Sequence, residues 1–174
     1  MFFRFSTFGP YKLQRHKGHV SELALDTLWK EIKVEGLSEA IGIYIFAIRN
    51  SDNSLEPWYV GKTDKGFKKR ILQHWKLFAL LAEKSPKGDL ELFLIPRVSS
   101  NRGKFKKPAN KKLPSIDDLE TMIIGSCFSK NPHVINEKKT SWQKELHVPG
   151  YFNDQQTDPK DEAAKELQLM LKKG

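Results

Sequence analysis

The densest run of apolar positions lies between Ile41 and Trp75. Residues 41–48 are apolar and rich in β-branched and aromatic side chains, which predicts a strand. Residues 50–57 are polar and turn-forming, and residues 58–61 predict a second strand, so the two read as a β-hairpin with a long loop. Period-two alternation puts Gly42, Tyr44 and Phe46 on one face of the first strand, and Tyr59 and Gly61 on one face of the second. With a matching register, two phenols and two glycines share a patch, and the glycines leave room for another backbone or a ligand. Residues 67–82 follow as a predicted helix, on which Arg70 and His74 are four apart and share a face.

Residues 89–98 predict a third strand, with Pro96 marking an edge or the strand's end. Residues 116–130 predict a second core helix, with Ser115 as its cap and Asp117 and Asp118 suited to its positive end. The apolar stripe of that helix is Ile116, Leu119, Ile123 and Cys127, with Ile124 beside it, and Glu120 lies at its margin. A carboxylate facing an interior is expensive unless it is paired or holds a metal; a glutamate on a helix flank is the plain alternative. Asn131-Pro132 stops the helix, and Asn136 follows a short apolar segment. Before this block, the first dozen residues can supply one edge strand, and residues 21–34 predict a helix with Ser21 as N-cap, Leu23, Leu25, Leu28 and Ile32 as its stripe, and Gly36 as its stop. After it, the chain reads as loop from Trp142, with a turn at Pro149-Gly150, and then as an amphipathic helix over residues 158–173.

Charge changes this picture more than composition does. The chain has 174 residues and a net charge of +9. Residues 1–40 hold six basic and five acidic side chains, residues 41–140 nineteen and ten, and residues 141–174 five and six, giving +1, +9 and −1. The whole excess sits on the central hundred residues, a localised field that suits a polyanion such as nucleic acid. Residues 99–115 carry Arg102, Lys104, Lys106, Lys107, Lys111 and Lys112 and no acid. Gly103, Pro108 and Pro114 keep them out of regular structure, and they read as a phosphate-contacting loop, with a merely solvated loop as the alternative. The single cysteine, Cys127, excludes a disulfide framework. The longest apolar run is far short of the roughly 20 residues of a membrane span, and the start lacks a sustained apolar segment, so a cytoplasmic protein with no membrane partner is expected.

Two further patterns carry less. His16 and His19 lie in a basic loop with no carboxylate or cysteine at ligand spacing, and read as solvated. Gly61-Lys62-Thr63 imitates the end of a P-loop, but the glycine needed five positions earlier is replaced by Glu56.

Gly42-Ile43-Tyr44, Tyr59-Val60-Gly61, the Arg70-x-x-x-His74 helix, Glu120 and Asn136, taken in order, resemble the GIY-YIG nuclease superfamily over residues 41–140. Valine replaces isoleucine in the second triplet, and the spacings between Tyr44 and Tyr59 and between Glu120 and Asn136 are generous. The resemblance implies a small α/β (α+β) domain, a three-stranded antiparallel sheet flanked by helices. Residues 1–40 then form an N-terminal extension packing on the core, and residues 141–174 a C-terminal extension with a terminal helix.

It also implies a metal-dependent endonuclease hydrolysing phosphodiester bonds of DNA, most naturally double-stranded, through one metal site. By the resemblance, Glu120 is the sole protein ligand of Mg²⁺ or Mn²⁺, Tyr44 takes a proton from the attacking water, and Lys62, Arg70 and His74 lower its pKa or accept its proton. Arg70 stabilises charge on phosphorus, Tyr59 orients phosphate or water, and Asn136 holds the site together. One active site cuts one strand, so double-strand cleavage calls for a homodimer or two visits. A catalytically silent nucleic-acid-binding module of the same fold, and an RNA endonuclease, are the alternatives.

Overall fold

The computed structural model of the chain describes residues 3–84, 86–99, 103–109, 113–136, 140 and 162–171. The molecule is mixed α/β, built on antiparallel pairing. Strands β1 (Arg4–Phe5), β2 (Phe8–Leu13), β3 (Arg15–His16) and β4 (His19–Val20) precede helix α1 (Glu22–Glu31). Then come β5 (Gly42–Arg49), β6 (Leu55–Thr63), α2 (Phe67–Ile71), α3 (Trp75–Lys84), β7 (Asp89–Val98), α4 (Pro114–Lys130) and α5 (Glu162–Leu171). Among the described residues no helix is long and apolar enough to cross a membrane.

The main sheet runs β1-β7-β5-β6, with β2 also paired to β7, and every pairing is antiparallel. The N-terminal residues therefore supply an edge, as expected, but as two short strands on β7. Pro96 lies two residues from the end of β7, where it faces Gly42 of β5. A Cβ on Gly42 would collide with the Ile95 carbonyl, so this glycine is what lets the first strand close on its neighbour.

The hairpin differs from the expected one. Strand β6 begins at Leu55, so the turn is only residues 50–54, closed by backbone bonds between Asn50 and Ser54 and between Asn53 and Asn50. Asn53 sits at φ 66, a left-handed position that asparagine tolerates. The register shifts between Phe46 and Ala47, which face Tyr59 and Pro57, so Trp58 is the extra residue of a bulge. Pro57 lacks an N–H, and a bulge on an edge strand is where that is tolerated.

Helices α1, α2 and α3 cover one face of the sheet, with Tyr44, Phe46, Leu92 and Leu94 packed against Leu25, Leu28, Phe67, Ile71 and Phe78. Helix α4 covers the other, where Ile43 and Val60 meet Ile116, Ile124 and Cys127. Ser21 caps α1 as expected, its hydroxyl accepting from the Ala24 N–H at 3.1 Å. Helix α1 ends at Glu31, and Leu23, expected in its stripe, is exposed; Trp29 takes the inward place. Ser115 does not cap α4. That helix starts at Pro114, whose fixed φ suits the first turn, and has no side-chain cap bond. Residues 141–161, including the loop and turn expected there, lie outside the described residues; α5 falls within the helix expected over residues 158–173.

Candidate active site

The register settles how the two triplets meet. Tyr44 faces Gly61, Phe46 faces Tyr59 and Gly42 faces Thr63 across β5 and β6, so both phenols do share one face. Gly61 lies under the Tyr44 ring, and a Cβ there would collide with the phenol. Glycine at 61 is thus a condition for Tyr44 to lie flat across the hairpin.

Tyr44 is fully buried, in edge contact with Phe46 and Phe67 at centroid distances of 6.0 and 6.5 Å. Its hydroxyl is hydrogen-bonded to Nε2 of His74. The continuous helix expected over residues 67–82 is broken there. Gln73 and His74 donate to the carbonyls of Arg70 and Ile71, three residues back, which tightens the chain and ends α2. The His74 carbonyl then accepts from the Phe78 N–H at 3.0 Å, so His74 caps α3 through its backbone while its ring turns inward. The break lets the imidazole reach the phenol. Arg70 and His74 still face the same site, from the end of one helix and the start of the next.

Burial governs the titration of this group. It drives the Tyr44 phenol far above its ordinary range, with Tyr59 adding and Arg70 opposing. It also raises Tyr59, again against Arg70. Burial, helped by the Arg70 charge, pulls His74 down to about 4, so its imidazole is neutral at pH 7. The expectation that neighbouring cations lower the Tyr44 pKa is therefore reversed in the protein alone. Desolvation outweighs Arg70, and Lys62 points to the other face of β6.

On that other face, Lys62 is ion-paired to Asp117 and lies 3.7 Å from the Glu120 carboxylate. Glu120 is 9% exposed, so it lies at a buried margin of α4 and not on an open flank. Asp117 is a site residue that the sequence reading assigned only to the helix end. Its three-residue spacing to Glu120 on one helix was the available signal.

The two faces meet at the outer edge of β6. An open cavity of about 520 Å³ there is lined by Tyr59, Lys62, Arg70, Asp117 and Glu120. Beside it lies a groove of about 920 Å³, reached by Tyr59, Arg70, His74, Glu120 and Asn136. Tyr44 lines neither; Tyr59 is the phenol at the wall, with its ring centroid 6.2 Å from that of Tyr44. Asn136 closes the strand edge. Its Oδ1 accepts from the Val60 N–H at 3.0 Å and its Nδ2 donates to the Val60 carbonyl at 2.6 Å, as a neighbouring strand would. Asn131 adds one such bond, its Nδ2 donating to the Pro57 carbonyl at 2.8 Å.

The basic loop is only partly free. Lys106 is tied by its backbone to Arg97 and Ile41, and Phe105 packs edge-on against Phe8. Lys107 is ion-paired to Glu39 at 2.6 Å, while Lys104 and Lys106 have exposed side chains. None of these three lines the two cavities described above. Arg102, Lys111 and Lys112 lie outside the described residues. His16 and His19 face each other across the β3–β4 turn and are exposed.

Among the described residues no cluster of three or more His, Cys, Asp or Glu side chains is placed to hold a metal. The donor set among the described residues is Glu120 with Asp117, on an open cavity. That fits a hard divalent cation that keeps several waters and takes further oxygens from a phosphate. Comparison of the chain with family models, curated proteins and solved structures finds no match.

Proposed function

We propose that this chain is a divalent-metal-dependent endonuclease of the GIY-YIG type, hydrolysing phosphodiester bonds of DNA. One observation carries the reading: a buried phenol, Tyr44, is bonded to a histidine held neutral, behind a cavity wall that bears Tyr59, Arg70 and Glu120. Further support comes from the hairpin, where both glycines of the two triplets are required by close approach. The antiparallel run β6-β5-β7, to which β1 and β2 are added on β7, supports the same reading, since a three-stranded antiparallel sheet is what that fold calls for.

The residues divide the work as follows. Both phenols are neutral in the resting protein, and His74 is an unprotonated acceptor. A water in the cavity loses its proton to the Tyr59 oxygen as Tyr59 passes its own to Tyr44 and Tyr44 passes its own to His74 Nε2. None of these three relay groups is charged before the reaction begins. An arriving phosphodiester anion offsets the Arg70 charge that disfavours a protonated His74. Arg70 offers a planar pair of donors to the phosphate oxygens and stabilises the charge that develops on them. Glu120, with Asp117 beside it, would hold Mg²⁺ or Mn²⁺, and the bound ion supplies Lewis-acid stabilisation of the same charge. Without the ion, Lys62 is the partner of the two carboxylates, and Asn136 fixes the Val60 backbone between Tyr59 and Gly61.

Plasmid DNA and a structured RNA are incubated with the protein in Mg²⁺ and in EDTA. Cutting of the plasmid only with Mg²⁺ is the expected result. Retarded but uncut plasmid identifies a silent binding module instead, and cutting of RNA alone reassigns the substrate.

A further inference from the structure

The groove beside Tyr59 is lined by two kinds of side chain. Arg70, Lys76 and Lys62 are its cations, Lys62 being ion-paired to Asp117. Leu80, Ile124, Ile135 and the indole of Trp75 supply apolar surface. Trp75 is 45% exposed, unusual for so large an apolar ring, and its edge-on contact with Phe78, 6.1 Å between centroids, holds it in place. It follows His74 directly in the chain, at the first turn of α3. Exposed Gln73 lies on the same wall, with an amide that can bond a base edge.

We infer that this groove takes an unstacked nucleobase next to the phosphate that is cut, with Trp75 as its stacking platform. One groove offers both things a nucleotide needs: cations for the phosphate, and a flat ring and aliphatic walls for the base. A base inside a duplex offers only its edges, because both faces lie against its neighbours, so an exposed indole gains nothing from intact duplex. A base in a single strand or at a distorted junction offers a face, and stacking on an aromatic ring is nearly indifferent to sequence. The inference rests on the nuclease reading and narrows its substrate to DNA that is unpaired at the point of attack.

The test uses the full chain in EDTA, where nothing is cut. Binding of a fluorescein-labelled single-stranded oligonucleotide and of its duplex is followed by anisotropy for wild type, Trp75→Ala and Trp75→Phe. Trp75→Ala is expected to weaken the single strand roughly 5- to 150-fold, the range for loss of one base–aromatic stack, and to leave the duplex within about two-fold. Trp75→Phe is expected to recover most of the loss, which a change that merely unfolded the protein would not do. Equal weakening of both DNAs, or of neither, overturns the stacking role while leaving the nuclease reading intact. If neither DNA binds the wild type, both are overturned.

Discussion

The two faces of the sheet at β6 do opposite things with charge. Under α2 and α3, Tyr44 and His74 are buried and Tyr59 half-buried among aromatic rings, and all three are held neutral. Under α4, Lys62, Asp117 and Glu120 are charged and ion-paired, with Lys62 and Asp117 each more than two-fifths exposed. A low-dielectric face is a poor place to keep an ion and a good place to pass a proton. An ion pair with two exposed partners is a good place to exchange an ammonium for a metal ion. The edge strand lets one cavity draw on both, because successive residues of β6 point to opposite faces. Tyr59 and Lys62 reach the same cavity from opposite sides for that reason.

Breaking the charged face has the largest expected effect. Glu120→Gln should reduce plasmid cleavage to the uncatalysed background while binding of DNA in EDTA stays equal or tightens, since a negative charge has gone. Cleavage near the wild-type rate would place the metal elsewhere. The neutral face comes next. Tyr44→Phe should lower single-turnover cleavage by about 10²-fold or more, the scale of general acid–base catalysis, with the fold kept by the ring. Tyr59→Phe should fall within a few-fold of it, because Tyr59 is the phenol at the cavity wall. A nearly active Tyr59→Phe would return Tyr59 to orienting the phosphate and require Tyr44 to meet water directly.

Asn136 tests the edge that joins the faces. Asn136→Ala leaves the buried Val60 N–H and C=O without their partners and should cost about 2–6 kcal/mol of stability, from roughly 1–3 for each buried group left unbonded. Thermal unfolding reads this, and an unchanged melting temperature would mean that another group replaces the amide. The smallest effect belongs to the basic loop. Neutralising Lys104 and Lys106 should weaken DNA binding equally across sequences and flatten its salt dependence by roughly one unit of slope per lost phosphate contact. Lys107, already paired with Glu39, should contribute less, and an unchanged slope would mark the loop as only solvated.

What the sequence makes legible here follows from the range over which each signal acts. Alternation along residues 42–46 and 59–61 fixes the face of each side chain, and the hairpin is local, so the meeting of Tyr44, Tyr59 and both glycines could be read in advance. The bulge at Trp58 could not, because Pro57 reads as loop until its pairing with Ala47 is known. The break between α2 and α3 is hidden for a related reason. Phe67, Ile71, His74 and Phe78 keep helical spacing, and only the contact with Tyr44, thirty residues away, makes the tighter turn worthwhile. Asp117 had a sufficient local role at a helix start, so its pairing with Lys62 needed the packing of α4 on β6 to emerge. Tyr44's titration is not legible in the sequence, because burial cannot be judged from the charges along a chain.

The central claim is that a neutral His74 accepts the proton that Tyr44 releases. It is tested most directly by single-turnover cleavage of DNA at sub-saturating substrate and saturating Mg²⁺ between pH 3.5 and 9, for wild type and His74→Ala. The acceptor must be unprotonated, and burial holds His74 so down to about 4. The wild-type rate should therefore rise with pH through about 4 and show no histidine step between 6 and 7, where an ordinary imidazole titrates. His74→Ala should lose the acid limb along with most of the rate. A wild-type profile that rises at pH 6 to 7, or a His74→Ala variant with the wild-type rate and profile, would contradict the claim.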